Sequence, residues 1–264
     1  YGRFRSWGSM GFIVGGLMLG WLVELLGSQI IPFTLMAMLL FALALVVFVP
    51  KENMEPEDNT SAWAAIQTLL ARPKLRALYL SAFLSRLTQH GLYGFLPLHL
   101  KDLAVEDWAI PVYWSVGVMS EVLLIRHTKT LFRGRSTPSI LLFCFSIAVL
   151  QFSAMAIVEN PWYLLIVMLL HGITFGLWYV ASMEFLGAEV EESQRGTAQA
   201  LFQIMAFGLG GTISSIAAGY LFEAGAGPLM FGVSALWSLI VVGITYLSFR
   251  APSLDQREDS QGAS

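Results

Sequence analysis

The chain has 264 residues, of which 56% are hydrophobic and only 12% charged, with a formal net charge of -3 and a mean hydropathy of +0.67. That balance excludes an ordinary soluble domain and gives no basic bias toward nucleic acid, which is not expected as a partner; it reads as a polytopic membrane protein whose solvent is the lipid bilayer. The single cysteine, Cys144, stands in an apolar run, so no disulfide can form within the chain.

Apolar runs near the ~20-residue length that spans a bilayer fall at residues 9–26, 29–49, 76–98, 108–125, 138–158, 161–186, 197–222 and 228–249. They are too long and too continuous for the alternating strands of an outer-membrane barrel, so about eight transmembrane helices are expected in an all-α fold. The first run carries Gly11, Gly15, Gly16 and Gly20, a stripe of small residues of the kind that allows close helix packing in lipid. Gly20-Trp21-Leu22-Val23-Glu24 recurs as Gly219-Tyr220-Leu221-Phe222-Glu223, six helices later and in the same chain direction. A parallel repeat of six helices per half is the arrangement of the major facilitator superfamily.

On that reading the chain divides into residues 1–49 (helices 5 and 6, the end of the N-terminal half), 50–75 (a cytoplasmic linker), 76–250 (helices 7 to 12, the C-terminal half) and 251–264 (a disordered cytoplasmic tail). The chain begins at Tyr1 without an initiator Met or signal pattern, so about four helices are expected upstream. Within the linker, Trp63, Ile66, Leu69 and Leu70 recur at helical spacing and predict a short amphipathic helix over residues 61–70. All but two of the 15 basic residues fall on the side that holds Tyr1; Lys101 falls opposite and Arg86 lies inside a span. The bias predicts cytoplasmic ends and, with the spans, a multi-pass protein of the cell inner membrane.

The run 108–125 contains one carboxylate, Glu121. An ionisable group in hydrocarbon is disfavoured by roughly 2.5–3.5 kcal/mol and by default marks a functional path with a partner nearby. Arg86, His90 and Tyr93 share one face of the run 76–98, and His171 lies near the middle of 161–186. Arg86 has three readings: a bidentate ligand for a substrate carboxylate, the neutraliser of Glu121, or a side chain extended to the interface. Glu121 is read as the proton-binding acid, against the alternative of a static ion pair that fixes helix packing. His171 is read as a proton or substrate ligand, against a structural histidine bonded to a neighbouring helix, and His90 is read in the same way. His99 and His127 near helix ends read as interface anchors. Tyr93, Phe95, Trp114, Phe175, Trp178 and Tyr179 read mainly as packing or lipid-facing rings, with those beside the ionisable groups available to stack on a ring-bearing solute. There is no P-loop, His-Glu-x-x-His or Gly-x-Ser-x-Gly pattern; neither an enzyme nor a cofactor or metal site is expected.

Several segments carry a resemblance: Tyr1-Gly2-Arg3 with Arg5, Trp7, Gly8 and Ser9; Trp114-Ser115-x-Gly117-Val118-x-x-Glu121; Leu170-His171-x-x-Thr174-Phe175; Ala181-Ser182-Met183; and Arg195-Gly196-x-x-Gln199-Ala200-Leu201 before Gly210-Gly211. Through them the sequence resembles the phenylpropionate permease group of the major facilitator superfamily, distantly similar to oligosaccharide and nucleoside proton symporters. In lactose permease, a relative by fold, an acid on the eighth helix and a histidine on the tenth belong to the sugar and proton site. The resemblance therefore implies such roles for Glu121 and His171. His90-Gly91-x-Tyr93 is similar to the group's histidine and paired-aromatic segment, although Gly94 stands where a second aromatic is common. The expected function is proton-coupled symport of a small organic solute, such as an aromatic carboxylate, by alternating access in a full-length monomer. Proton coupling is assigned to Glu121 and His171, and solute binding to Arg86, His90, Tyr93, Trp114 and His171. The alternatives are proton-driven efflux of amphipathic compounds and a non-transporting membrane receptor or structural subunit.

Overall fold

Helix ends in the computed structural model follow backbone chemistry. It describes residues 2–48 and 62–250, the side chains of residues 2–7, 9, 62 and 90 excepted. Helix α1 (Gly2–Leu26) stops at Gly27, whose φ of +80° needs no Cβ and whose N–H returns to the Val23 carbonyl at 2.8 Å. Next come α2 (Ile30–Val46) and α3 (Ala62–Ala71). They are followed by α4 (Pro73–Asp102), α5 (Ile110–Arg126), the single turn α6 (Thr128–Leu131) and α7 (Thr137–Ile157). Helix α8 (Pro161–Met168) continues through a π-helical segment (Gly172–Leu177) into α9 (Trp178–Glu189). A 3-10 turn (Glu192–Gln194), α10 (Arg195–Gln203), a second π segment (Ile204–Gly210) and α11 (Gly211–Arg250) complete the chain. Proline stands in the first turn of α4, α5, α7 and α8, where its missing N–H would have had no intrahelical partner. The Asn160 side chain caps α8 by accepting from the Trp162 N–H at 3.0 Å.

All eight expected runs are helical, and no strand occurs among the described residues. Two runs are not plain α-helices, since π segments interrupt them. The last two expected spans are joined almost without a loop: α11 breaks only at Gly225 and Ala226, the latter at φ +53°, with Pro228 opening its second limb. By length and apolarity three helical stretches among the described residues can cross a membrane: Thr137–Ile157, Pro161–Glu189 and Glu192–Arg250, the last holding two limbs. Helices α2 and α5 are 17 residues long each, and α4 carries the polar Ser85, Arg86, Thr88 and Gln89 within its length.

The six spans from α4 to α11 bury two apolar cores at different depths. One gathers Leu75, Tyr79, Phe145, Trp178, Phe185 and Phe202. The other gathers Leu92, Leu96, Phe152, Leu164, Met168 and Phe231. Between them, on α4, lie buried Ser85, Arg86, Thr88 and Gln89; at the matching depth of the α8–α9 span lie buried His171 and Thr174. A polar belt therefore crosses the bundle where its apolar packing is divided.

Helix α3 lays Ile66 and Leu69 on the first core, with Leu69 fully buried, while Trp63 remains exposed. The amphipathic helix expected there exists, with its buried stripe narrower than the spacing suggested. Helices α1 and α2 pack on each other and, through α1, on α5, and α2 buries none of its residues. The glycine stripe of α1 makes one close approach: a Cβ on Gly20 would lie 2.7 Å from Pro111 Cγ, whereas nothing lies within 4 Å of such an atom on Gly11, Gly15 or Gly16. The expected linker stretch at 50–61, the tail at 251–264 and the His90 side chain lie outside the described residues.

Candidate functional site

Glu121 and His171 are brought to one seam by small residues on both sides of it. A Cβ on Gly176 would lie 2.8 Å from Glu121 Cγ, and one on Gly117 would lie 3.3 Å from His171 Cβ. Each ionisable side chain thus fills the space that a glycine of the opposing element leaves open. Gly172 brings the backbones themselves together: its absent Cβ would meet Ser120 C at 2.7 Å and Glu121 N at 2.8 Å. Ser120 Oγ accepts from the Gly172 N–H at 3.1 Å and donates to the Gly117 carbonyl at 2.7 Å, tying α5 to the first π segment. Glu121 is 4% exposed and His171 2%.

His171 is enclosed by rings. It stacks on Phe175 with centroids 5.4 Å apart and an interplanar angle of 3°. Trp114 and Tyr93 meet it edge-on at 5.7 and 5.8 Å, and these two stack on each other at 5.1 Å. The Tyr93 hydroxyl lies 3.5 Å from His171 Nε2, a long hydrogen bond at best. His171 Nδ1 is buried without a hydrogen-bond partner.

Arg86 is fully buried, which removes the reading that its side chain reaches the interface. Its guanidinium carbon lies 4.0 Å from the Trp178 ring centroid, 4.9 Å from Phe207 and 5.0 Å from Phe175. Phe175 comes from the first π segment and Phe207 from the second, so both non-α turns converge on this cation. Gly210 permits the second approach, since its Cβ would fall 2.9 Å from the Phe83 carbonyl oxygen and 3.0 Å from Arg86 Cβ. The rings attract the cation through their π faces but accept no N–H in the guanidinium plane, and Nε, Nη1 and Nη2 all lack a hydrogen-bond partner. Tyr93 and Glu121 are the polar groups whose fields reach Arg86.

The structure thus collects Arg86, Tyr93, Trp114, Glu121 and His171 around one junction of α4, α5 and the first π segment. His90 belongs to the same stretch of α4, with its side chain outside the described residues. Of the rings read as packing or lipid-facing, Phe175 and Trp178 are packing rings that wall this junction. His99 departs from its interface reading: it is 2% exposed, edge-on to Phe231 at 5.2 Å, beneath the Gly227 backbone. His127 is exposed and bonds the Leu123 carbonyl through Nδ1 at 2.8 Å, as an end anchor does. Sequence reasoning passed over Phe207, Gln89 and Gln151. Uncharged amides inside apolar runs were the available signal for the last two. A cleft of about 210 Å³ between α4 and α11, lined by Leu87, Gly91, Met230, Val233 and Trp237, holds none of the ionisable groups. Among the described residues no cluster of metal-ligating side chains occurs.

Known proteins resemble this chain along most of its length. The chain is 28% identical over 257 residues to a probable 3-phenylpropionic acid transporter of Escherichia coli (strain K12), covering 95% of this chain and 64% of that protein. It is 25% identical over 248 residues to a maltose permease of Geobacillus stearothermophilus, covering 92% and 62%. The chain spans less than two thirds of the length of either relative. The crystal structure of the nucleoside transporter NupG superposes with a TM-score of 0.74 at 20% identity, over 94% of this chain and 67% of that one, which shows the fold to be that of a major facilitator transporter. Residues 1–233 match the family model for the MFS_1 like family, so the chain belongs to that family, within the major facilitator superfamily of membrane transporters.

Proposed function

We propose that the protein is a secondary active transporter of the inner membrane that carries a small organic acid together with protons by alternating access. The observation that supports this most is the junction of a buried carboxylate and a buried imidazole, Glu121 and His171, at the depth where the bundle's apolar packing is divided. Intramembrane ionisable groups placed in a bundle interior belong to proton and solute pathways by default.

In this reading Glu121 carries the coupled proton. His171, aligned by Phe175, Trp114 and Tyr93, binds solute or exchanges the proton. Arg86 supplies donors to a solute carboxylate, which takes two such bonds from a guanidinium in one plane. Arg86 is enclosed in this conformation, so the carboxylate reaches it in another arrangement of the cycle. The Tyr93–Trp114 stack offers a face to an aromatic ring, and His90 is assigned to the same site from its place on α4. The name of the Escherichia coli relative makes 3-phenylpropionate the first solute to try. The chain's own helices α4 to α11 form the C-terminal half in this reading, α1 and α2 the end of the N-terminal half.

The test is reconstitution of the protein encoded by its gene in liposomes containing a pH dye. Internal acidification on adding 3-phenylpropionate, above protein-free vesicles, is the expected result. Alkalinisation would replace symport with antiport, and solute uptake indifferent to the proton gradient would overturn the coupling.

A further inference from the structure

The first π segment is held by two buried amides from neighbouring helices. In an α-helix the Trp178 N–H would bond the carbonyl four residues back, that of Thr174. Here it bonds the Ile173 and Phe175 carbonyls instead, and the Thr174 carbonyl accepts from Gln89 Nε2 of α4 at 2.8 Å. A carbonyl can only accept, so the amide orientation of Gln89 follows from that contact. From the other side, Thr174 Oγ1 donates to Gln151 Oε1 of α7 at 2.8 Å. Gln89, Gln151 and Thr174 are all 3% exposed or less. The carbonyl passed over by Trp178 and the side chain of the same residue are thus both occupied from outside the helix.

Register matters at this place. One residue of helical register is a rotation of about 100° at 3.6 residues per turn. The π segment separates His171 from Trp178 and Tyr179, so its register decides which way His171 faces when the rest of the span is packed in the core. A π turn is an infrequent conformation that α-helix would replace unless something held it. The remaining atoms of the clamp are an acceptor, Gln89 Oε1, and a donor, Gln151 Nε2, both buried and without partners. Filler amides chosen for stability alone would have these atoms satisfied.

We infer that Gln89 and Gln151 are positioning residues of the transport site: they hold the π register of Gly172–Leu177 through Thr174, and so fix His171 against Tyr93, Trp114 and Glu121. This rests on the transport reading given above for that site, and it assigns the two amides no contact with solute or proton.

The experiment uses the protein as encoded by its gene, in proteoliposomes, with 3-phenylpropionate as the probe. Gln89→Leu, Gln151→Leu and Thr174→Val are compared with Thr174→Ser, which keeps the hydroxyl. The expected result is a fall of about tenfold or more in maximal uptake rate for the first three, with a displaced pH profile and a smaller change in KM, and near wild-type behaviour for Thr174→Ser. Hydrogen exchange of the backbone amides over residues 172–177 is followed on the same preparations. It should accelerate by up to about tenfold in Gln89→Leu while exchange in α7 and α11 stays unchanged. Wild-type exchange over 172–177 in Gln89→Leu and Thr174→Val, or losses in Thr174→Ser equal to those in Thr174→Val, would overturn the inference. If the wild-type protein shows no proton-coupled uptake the transport reading fails, and the exchange comparison still decides whether the amides hold the segment.

Discussion

Gly172→Ala and Gly176→Ala separate the packing of the α5 seam from its chemistry, because the same added methyl meets different obstacles. At Gly172 the new carbon would lie 2.7 Å from Ser120 C and 2.8 Å from Glu121 N, backbone atoms that move only if α5 moves. At Gly176 it would lie 2.8 Å from Glu121 Cγ but 3.4 Å from Glu121 Cα and Cβ, so rotation of the carboxylate arm relieves the clash. Overpacking of a close-packed core costs about 1–3 kcal/mol, and replacing a helical glycine by alanine returns roughly 0.5–1 kcal/mol. The rigid obstacle puts Gly172→Ala at the upper end, for a net loss of about 2 kcal/mol; the movable one leaves Gly176→Ala within about 1 kcal/mol of wild type. Function reverses the order of interest: displacing Glu121 by the better part of an ångström should lower coupled uptake by up to about 100-fold in Gly176→Ala. Thermal unfolding of the purified protein and uptake in proteoliposomes, on the same preparations, provide the two readouts. Unchanged stability in Gly172→Ala, or unimpaired coupled uptake in Gly176→Ala, would refute the reasoning.

Arg86→Lys keeps the charge but loses the planar group stacked on Trp178 and its paired in-plane donors; affinity for 3-phenylpropionate should drop by about tenfold or more, and equal KM values would remove Arg86 from solute binding. Tyr93→Ala deletes the stack on Trp114 and should weaken binding by about 2–10-fold, whereas Tyr93→Phe, which keeps the ring and removes the hydroxyl with its 3.5 Å contact to His171, should weaken it less; titration by tryptophan fluorescence distinguishes them, and equal losses would move the weight from the ring to the hydroxyl. Cys144 is fully buried in the first core, so a membrane-permeant maleimide should leave it unmodified until the protein unfolds; prompt labelling of the folded protein would contradict the packing of α7.

The fold was largely legible because lipid imposes a coarse constraint: runs of apolar residues of spanning length have to be helices, and each expected run is one. Register within a run was not legible. Hydrophobic periodicity does not register a single inserted residue when every face is apolar, so the π segments at Gly172 and Ile204 left no trace beyond the Gly172–Gly176 spacing. Glu121 and His171 stood out as lone ionisable groups. The cage around Arg86 did not, because Phe175, Trp178 and Phe207 reach it from two different spans, and which spans adjoin is a tertiary fact. The same gap hid Gln89 and Gln151, whose common partner Thr174 lies 85 and 23 residues away. His99 misled the reading because nearness to a helix end says nothing of the turn at Gly227 that covers it.

Proton coupling through Glu121 is decided by comparing wild type with Glu121→Gln in vesicles of equal protein content, recording internal pH and labelled 3-phenylpropionate together. The carboxamide keeps the size of the side chain and cannot release a proton. The expected outcome is acidification and gradient-driven accumulation in wild type, and in Glu121→Gln no acidification and no accumulation above the external concentration. Accumulation with concomitant acidification in a folded Glu121→Gln protein would contradict the assignment of the coupled proton to Glu121.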